Sequence, residues 1–378
     1  METFDAIVVG LGAHGSAAAA ELSRRGLRVL GIDRFGRGET MGSSGGRSRM
    51  IRIAHYEAPA YTALARASWR RWRRLEAETD RAILTPAPGL YAGPADSGVV
   101  AGSLAAARSG AVDHEILDAD AIRARWPVFT PADDTVAVVD LDAGIIHADR
   151  AIEAHRVVAE RHGATLRFGA PVGGWRPVTG GGFEVRTGEG SAGAERLVLT
   201  AGPWTSGLVA EVGLDLVVER QPVLWLEPGA GRAPEEVGLD GLPLWLWSTD
   251  RGTFYGFPWD DELGLKVALH HGGATVDPDL VDRTASAADE AVVRSFVRSR
   301  MPAMDGPVRA STVCLYTNTP DDEFVVDRHP AAAGVAFASA CSGHGFKFAP
   351  VIGEMLADLV LDGSTSWPIE AFRAARFR

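Results

Sequence analysis

Apolar positions in this chain follow two rhythms, and the switches between them mark its elements. Asp5-Ala6-Ile7-Val8-Val9 is a short apolar run of strand character, Ser16 to Arg25 is Ala-rich and helical, and Leu27 to Ile32 is a second apolar run ending on Asp33. Between the first run and the helix stands Gly10-Leu11-Gly12-Ala13-His14-Gly15, a Gly-x-Gly-x-x-Gly turn. Strand, turn, helix, strand and terminal acid in that order predict a dinucleotide-binding unit. Gly10 permits the turn, Gly12 lets the backbone approach a pyrophosphate, Gly15 lets the helix pack on the sheet, and Asp33 can accept ribose hydroxyls. The helix start adds free N–H groups and a positive dipole end.

The same reading continues along the chain. Tyr61–Thr79 is a helix with Leu64, Ser68, Trp69, Trp72 and Leu75 on one side and arginines elsewhere. From Leu84 to Val139, short apolar runs among Pro, Gly and Ala resemble an insertion, closing with a short helix that Asp118 caps and Pro127 ends. A helix over Asp149–His162 and a strand over Thr165–Phe168 restore the α/β pattern, and Phe183–Arg186 and Arg196–Leu199 make a strand pair. Gly188 to Gly193 repeats the Gly-x-Gly-x-x-Gly spacing, but a strand follows it, so it reads as a hairpin loop. Thr200-Ala201-Gly202-Pro203-Trp204 is a small-residue turn suited to lie against a dinucleotide. Beyond Leu216 come strands at Val223–Leu226, Leu244–Trp247, Thr253–Pro258 and Gly264–His270, then an amphipathic helix over Ser286–Met301. In Gly264–His270 the residues Lys266, Ala268 and His270 share a face opposite Leu265, Val267 and Leu269, so one side packs and the other lines a cavity. The chain ends with strands at Ser311–Tyr316, Glu323–Asp327 and Val335–Ala340, the loop Gly343-His344-Gly345-Phe346-Lys347, and a helix over Val351–Leu361.

Length and charge narrow the picture. A chain of 378 residues can bury a large core and favours two domains. A net charge of −11 argues against nucleic acid or an anionic membrane as partner, and no apolar run approaches the ~20 residues that span a bilayer. Only Cys314 and Cys341 are present, which excludes a disulfide framework; with no basic segment before the first apolar run, the cytoplasm is the expected location. With one fingerprint, a nicotinamide-linked electron donor is disfavoured. The chain holds 38 basic residues, yet its only lysines are Lys266 and Lys347, which points to sites where a compact ammonium is wanted and a planar guanidinium does not fit. Gly42 to Gly46 is a small-residue run, and Arg49 and Arg52 after it are spaced to share a helical face or flank a bend. Trp245, Trp247 and Trp259 suit either core packing or a pocket for a larger or aromatic N-alkyl or cyclic amino acid.

Several of these segments together resemble one family. The fingerprint, Gly42-Ser43 followed by Arg49-Met50-Ile51-Arg52, Tyr255-Gly256-Phe257-Pro258, Gly264-Leu265-Lys266, Cys314-Leu315-Tyr316-Thr317 and Gly343-His344-Gly345-Phe346-Lys347-Phe348 resemble the monomeric sarcosine oxidase and N-methyltryptophan oxidase family, in order from end to end. The resemblance implies an α/β fold, with a Rossmann-like FAD-binding domain formed by residues 1–83, 147–215 and 316–378. It implies a substrate domain on a mostly antiparallel sheet formed by 84–146 and 216–315. It implies FAD attached through Cys314 and held by Gly10, Gly12, Gly15, Asp33, Arg34, Ser43, Ser48, Arg49, Val172, Gly343, Gly345, Phe346 and Lys347. By the same resemblance Lys266 activates O2 near flavin N5, Arg49 sits on the other flavin face, and Tyr255 and His270 shape the amine site. Arg52 and Lys347 bind the substrate carboxylate, with Tyr316 and Leu246 beside them, and the last helix favours the anionic reduced flavin. The partners implied are a small amine and O2, the product is hydrogen peroxide, and the protein is a monomer. Where the sarcosine oxidases carry a histidine pair, this chain has Ser44 and Gly45, which bears on flavin attachment. The alternatives are a dehydrogenase that avoids O2, an oxidase of another imino or glycated amino acid, and a non-catalytic flavin binder.

Overall fold

The computed structural model describes residues 1–39, 41–231 and 233–377. Strand Glu2–Val9 is the centre of an open sheet, parallel to Val29–Ile32 on one side and to Gly190–Leu199 on the other. Thr165–Arg167 extends the sheet past Val29–Ile32, and Val335–Ser339 runs parallel to the last residues of Gly190–Leu199. The first half of that long strand pairs instead with Phe183–Thr187 through a turn at Gly188 and Glu189, so the second glycine pattern is a hairpin, as its sequence context predicts. Covered on both faces, the central strand is a continuous apolar run, with Ile7 and Val8 fully buried.

Alanine explains how the helices crowd together. In helix Ala13–Arg24, Ala17 to Ala20 are all buried, and the helix lies between Ala148–Arg161 and Ala349–Leu361. A Cβ on Gly353 would come within 2.7 Å of the Ala17 backbone, so two small residues set that close approach.

A second sheet has eight strands in the order Val308–Asn318, Val217–Leu226, Gly264–His270, Gly252–Asp260, Leu244–Thr249, Gly89–Pro94, Thr135–Asp140 and His114–Asp118. It is antiparallel except where Leu244–Thr249 runs parallel to Gly89–Pro94. The segment read as an insertion thus supplies three of its strands. Helix Ala287–Arg300, started by a Ser286–Asp289 capping box, covers one face: Phe296 stacks on Phe254 and meets Trp247 edge-on. The α/β class expected from the sequence is the class observed. Among the described residues no helix is long and apolar enough to cross a membrane.

A small third sheet joins Ser48–Ile51, Gly144–His147 and Leu84–Pro86. It corrects one alternative for the arginine pair. Arg49 lies on a strand, because Arg49 to Ile51 pair with Ile146 to Gly144, and Arg52 stands at the bend after it. The bend is held by Asp140, which is fully buried and accepts from Ile53 N at 2.8 Å, Ala54 N at 2.9 Å and Tyr91 OH at 3.2 Å. Its second oxygen accepts from Asp142 N at 3.0 Å. Asp140→Ala therefore leaves buried donors without an acceptor, and the expected loss is ~3 kcal/mol or more of stability, read from the urea midpoint. An unchanged midpoint would show that the bend stands without this carboxylate.

Candidate active site

The carboxyl ends of the parallel strands open on a cavity of about 860 Å3, the place where open α/β sheets bind their ligands. Gly10, at φ +88°, faces Thr200 so closely that a Cβ would lie 2.4 Å from the Thr200 carbonyl oxygen, and a Cβ on Gly15 would lie 1.7 Å from Gly10 O. These two glycines build the turn. Gly12 differs: its φ of −69° is ordinary, and the one protein atom near its Cβ position is Ser44 Oγ at 3.2 Å. A side chain at Gly12 would project into the cavity, so the lack of one keeps a cradle open above the helix start, where a dinucleotide's pyrophosphate fits. Asp33 braces the turn by accepting from Leu11 N at 2.8 Å and Phe35 N at 2.9 Å. Arg34 stacks over Trp204 and Phe35 and pairs with Asp279, closing one end. Ser43 and Val172 also line this cavity.

A second cavity of about 80 Å3 shares Ser43, Cys341 and Phe346 with the first. Its walls bring together Ser48, Arg49, Arg52, Leu246, Tyr255 and His270 with Cys314, Tyr316, Gly343, Gly345 and Lys347. Strand geometry explains the convergence. Leu265 and Val267 point into the core of the second sheet, while Ala268 packs with Cys314 and Tyr255 on the other face, so Lys266 and His270 are turned the same way. Gly46, at φ +87°, marks the meeting point: its Cβ position is 3.0 Å from Cys314 Sγ, 3.4 Å from Arg49 Nη1 and 3.7 Å from Lys266 Nζ.

Both lysines are buried, Lys266 at 2 % and Lys347 at 3 % exposure. Lys266 donates to Gly46 O at 2.7 Å and Ser48 O at 3.0 Å; burial, then the charge of Arg49, lowers its pKa to about 7. Lys347 donates to His344 O and meets His55 Nε2 at 3.3 Å; burial, then Arg52, holds it well below the usual lysine range. Burial opposes the charge on Arg52, but Glu57 outweighs it and raises its pKa, taking both guanidinium arms at 3.0 and 2.6 Å. His270 Nδ1 meets Tyr316 OH at 3.1 Å; burial, then His271, keeps the ring neutral, and burial pushes Tyr255 up to about 12.

Of the residues that the resemblance assigns to the site, Gly15 and Lys266 stand behind the walls: Gly15 packs the turn, and Lys266 reaches the site through its hydrogen bonds to Gly46 and Ser48. The tryptophans do not line the small cavity. Trp245 and Trp247 are buried in the second sheet's core against Phe129, as the core reading has it, whereas Trp259 is only half-buried and stacks with Arg309; none of the three lines the pocket. Glu57, His55 and Asp140 went unread, since nothing local marks a glutamate five residues after an arginine as its partner. Arg156, donating to Leu11 O at 2.8 Å from a buried position, was missed for the same reason.

Comparison with known proteins follows this geometry. The family model described as FAD dependent oxidoreductase matches residues 5–359. A monomeric sarcosine oxidase of Streptomyces avermitilis is 39 % identical, covering 99 % of this chain and 98 % of its own. An N-methyl-L-tryptophan oxidase of Salmonella arizonae is 31 % identical, covering 99 % of both. Among solved structures, the open form of NikD, an unusual amino acid oxidase essential for nikkomycin biosynthesis, shares the fold with a TM-score of 0.86 over 99 % of this chain and 98 % of that one, at 24 % identity. A glycine oxidase from Geobacillus kaustophilus shares it with a TM-score of 0.82 over 100 % and 99 %, at 20 % identity.

Proposed function

The chain belongs to the FAD dependent oxidoreductase family, and from that premise we propose that it oxidises a small secondary amino acid, with O2 as the electron acceptor. The observation that carries this reading is the pairing, in one small cavity, of a buried basic clamp, Arg52 and Lys347, with Arg49 and Cys314, behind which Lys266 converges on Gly46. The fingerprint turn and the walls of the large cavity would hold FAD, which when bound would supply the redox chemistry that carries two electrons from the amine substrate to O2, with hydrogen peroxide as the product.

The protein's own groups do the rest. Arg52 and Lys347 fix the substrate carboxylate, which replaces part of the entropic barrier to a productive encounter. Because Glu57 occupies the Arg52 arms, an incoming carboxylate competes with it. His270, neutral and tied at Nδ1 to Tyr316, offers Nε2 as an acceptor for the amine N–H. Leu246, Met50 and Phe257 keep water from the reacting carbon. Lys266, charged when protonated, stabilises negative charge as O2 is reduced. Cys314, the buried thiol beside Arg49 and Lys266, is assigned as the flavin attachment point. We assign 1–83, 147–215 and 316–378 to the cofactor domain and 84–146 and 216–315 to the substrate domain; the two large sheets fall on opposite sides of this division, except that Val308–Asn318 and the third sheet cross it. Two cysteines without a disulfide support a reducing cytoplasm as the place of work, and the likeness to proteins named monomeric sarcosine oxidase supports a monomer.

Three measurements test the reading. A cavity of about 80 Å3, against the ~300–1,000 Å3 of larger ligand pockets, selects the smallest substrates, so peroxide release from sarcosine should exceed that from N-methyltryptophan by about tenfold or more in kcat/KM. The reverse order, or no peroxide from any secondary amino acid, sinks the proposal. Lys266→Met should slow flavin reoxidation by O2 ~100-fold while leaving flavin reduction nearly intact; equal slowing of both would falsify the role given to Lys266. After acid precipitation the yellow colour should stay with the wild-type pellet and leave with the supernatant in Cys314→Ala, whereas free colour in both shows that the thiol is not the link.

A further inference from the structure

The carboxylate clamp contains one buried group that the reaction above does not use. His55 is fully buried; its Nδ1 lies 2.6 Å from Glu57 Oε2 and its Nε2 lies 3.3 Å from Lys347 Nζ. The imidazole thus bridges the carboxylate that closes Arg52 and the second cation of the clamp. Tyr61, His344 and Phe348 pack around it at centroid distances of 4.7, 5.4 and 5.4 Å, which holds the ring in this bridging position.

Ligand atoms of His55, Glu57 and His344 lie within 4.8 Å of one another, a spacing that would suit a metal ion. Two cations argue against it: Arg52 is bonded to Glu57, and Lys347 is bonded to His55. A divalent ion there would be repelled at close range by both. The cluster is built to receive an anion.

Charge accounting shows what that anion changes. Arg52 and Glu57 cancel, and His55 is held neutral by burial. Among the described residues no carboxylate pairs with Lys347, whose amine, disfavoured as a cation by burial and by Arg52, leans on the His344 carbonyl and the imidazole. The other titratable groups around the pair are Tyr61, bonded to Glu323; His344, whose Nε2 meets Asp322 O; Tyr56 beside Arg52; and, through their charges, Arg49 and His270. A ligand carboxylate adds a negative charge to this set and raises the proton affinity of its members.

Resting on the carboxylate clamp proposed above, we propose that His55 is a positioning residue that shares a proton with Lys347, so that a carboxylate ligand binds together with one proton taken up from solvent. Water or the buffer acid gives the proton, and the His55–Lys347 pair holds it while the ligand stays bound. His55 thereby acts on the substrate through Lys347 rather than by touching it.

Methoxyacetate is the probe. It carries the carboxylate of an N-methyl amino acid with an ether oxygen in place of the amine, so it has no ammonium proton to lose and no amine to oxidise. The holoenzyme is titrated with it calorimetrically at about pH 8 in buffers of different ionisation heat, and again across about pH 6.5 to 9.5. The expected result is net uptake rising towards ~1 proton per site, with affinity falling up to about tenfold per pH unit at the alkaline end. His55→Gln keeps an acceptor for Lys347 but cannot carry a proton, so its uptake curve should move to lower pH by about one unit; a purely structural role changes affinity and leaves the curve where it was. Binding without proton uptake in the wild-type holoenzyme overturns this inference and leaves the clamp standing. An unmoved curve in His55→Gln overturns the part given to His55, and failure of methoxyacetate to bind at all overturns both the inference and the clamp.

Discussion

Everything at this site depends on keeping two lysine amines out of water without pairing either to a carboxylate. A buried charge is costly unless it is hydrogen-bonded, and the cheapest partner, an acid, would also cancel the charge. Here the partners are backbone carbonyls: Gly46 and Ser48 for Lys266, His344 for Lys347. A carbonyl offers a partial negative charge, so each lysine is satisfied while a net positive field remains for a ligand. Both carbonyl-bearing loops pass through left-handed backbone, at Gly46 and Arg47 in one and Ser342 and Gly343 in the other. Arg47 and Ser342 have side chains there, at φ 64° and 34°, the kind of local strain that persists where the surroundings dictate the conformation.

The two sheets divide the work that this field requires. The parallel sheet and its fingerprint turn make a wide cavity with rigid walls, locked by Thr200 Oγ1 donating to Val9 O and Gly10 O. The antiparallel sheet turns one face of Gly264–His270 and Val308–Asn318 toward the same space. Between them the short third sheet carries Arg49 and presents Arg52 at its end, with Asp140 fixing the bend. Asp140 comes from the second sheet and the bend it holds from the third, so this carboxylate also couples the two layers.

What was legible in the sequence was what depends on local order. The strand, turn, helix and strand around Gly10–Gly15, the alternation that turns Lys266 and His270 to one face, and the hairpin behind the second glycine pattern all follow from neighbours a few residues apart. The scarcity of lysine was legible too, and both lysines prove to be buried. Pairings between side chains were not. Nothing in Arg52 to Glu57 says that the glutamate folds back on the arginine, or that His55 reaches a lysine almost three hundred residues away. Trp245 and Trp247 were ambiguous because a bulky residue on a strand looks alike whether its face meets another sheet layer or a cavity; helix Ala287–Arg300 and Phe129 settle it by covering that face.

The groups gathered around Gly46 are drawn from distant parts of the chain: Arg49 emerges early in synthesis, Lys266 after two thirds of it, and Cys314 later still. A ribosome therefore releases Gly46 and Arg49 long before the sulfur and the amine that meet them exist. Until Lys347 has been added, the early segment can form its own strands and helix but lacks the last of the basic groups that line the small cavity. The small cavity is therefore closed by late-synthesised residues onto walls that were made early, Arg49 and Arg52 waiting for Lys266, Cys314 and Lys347.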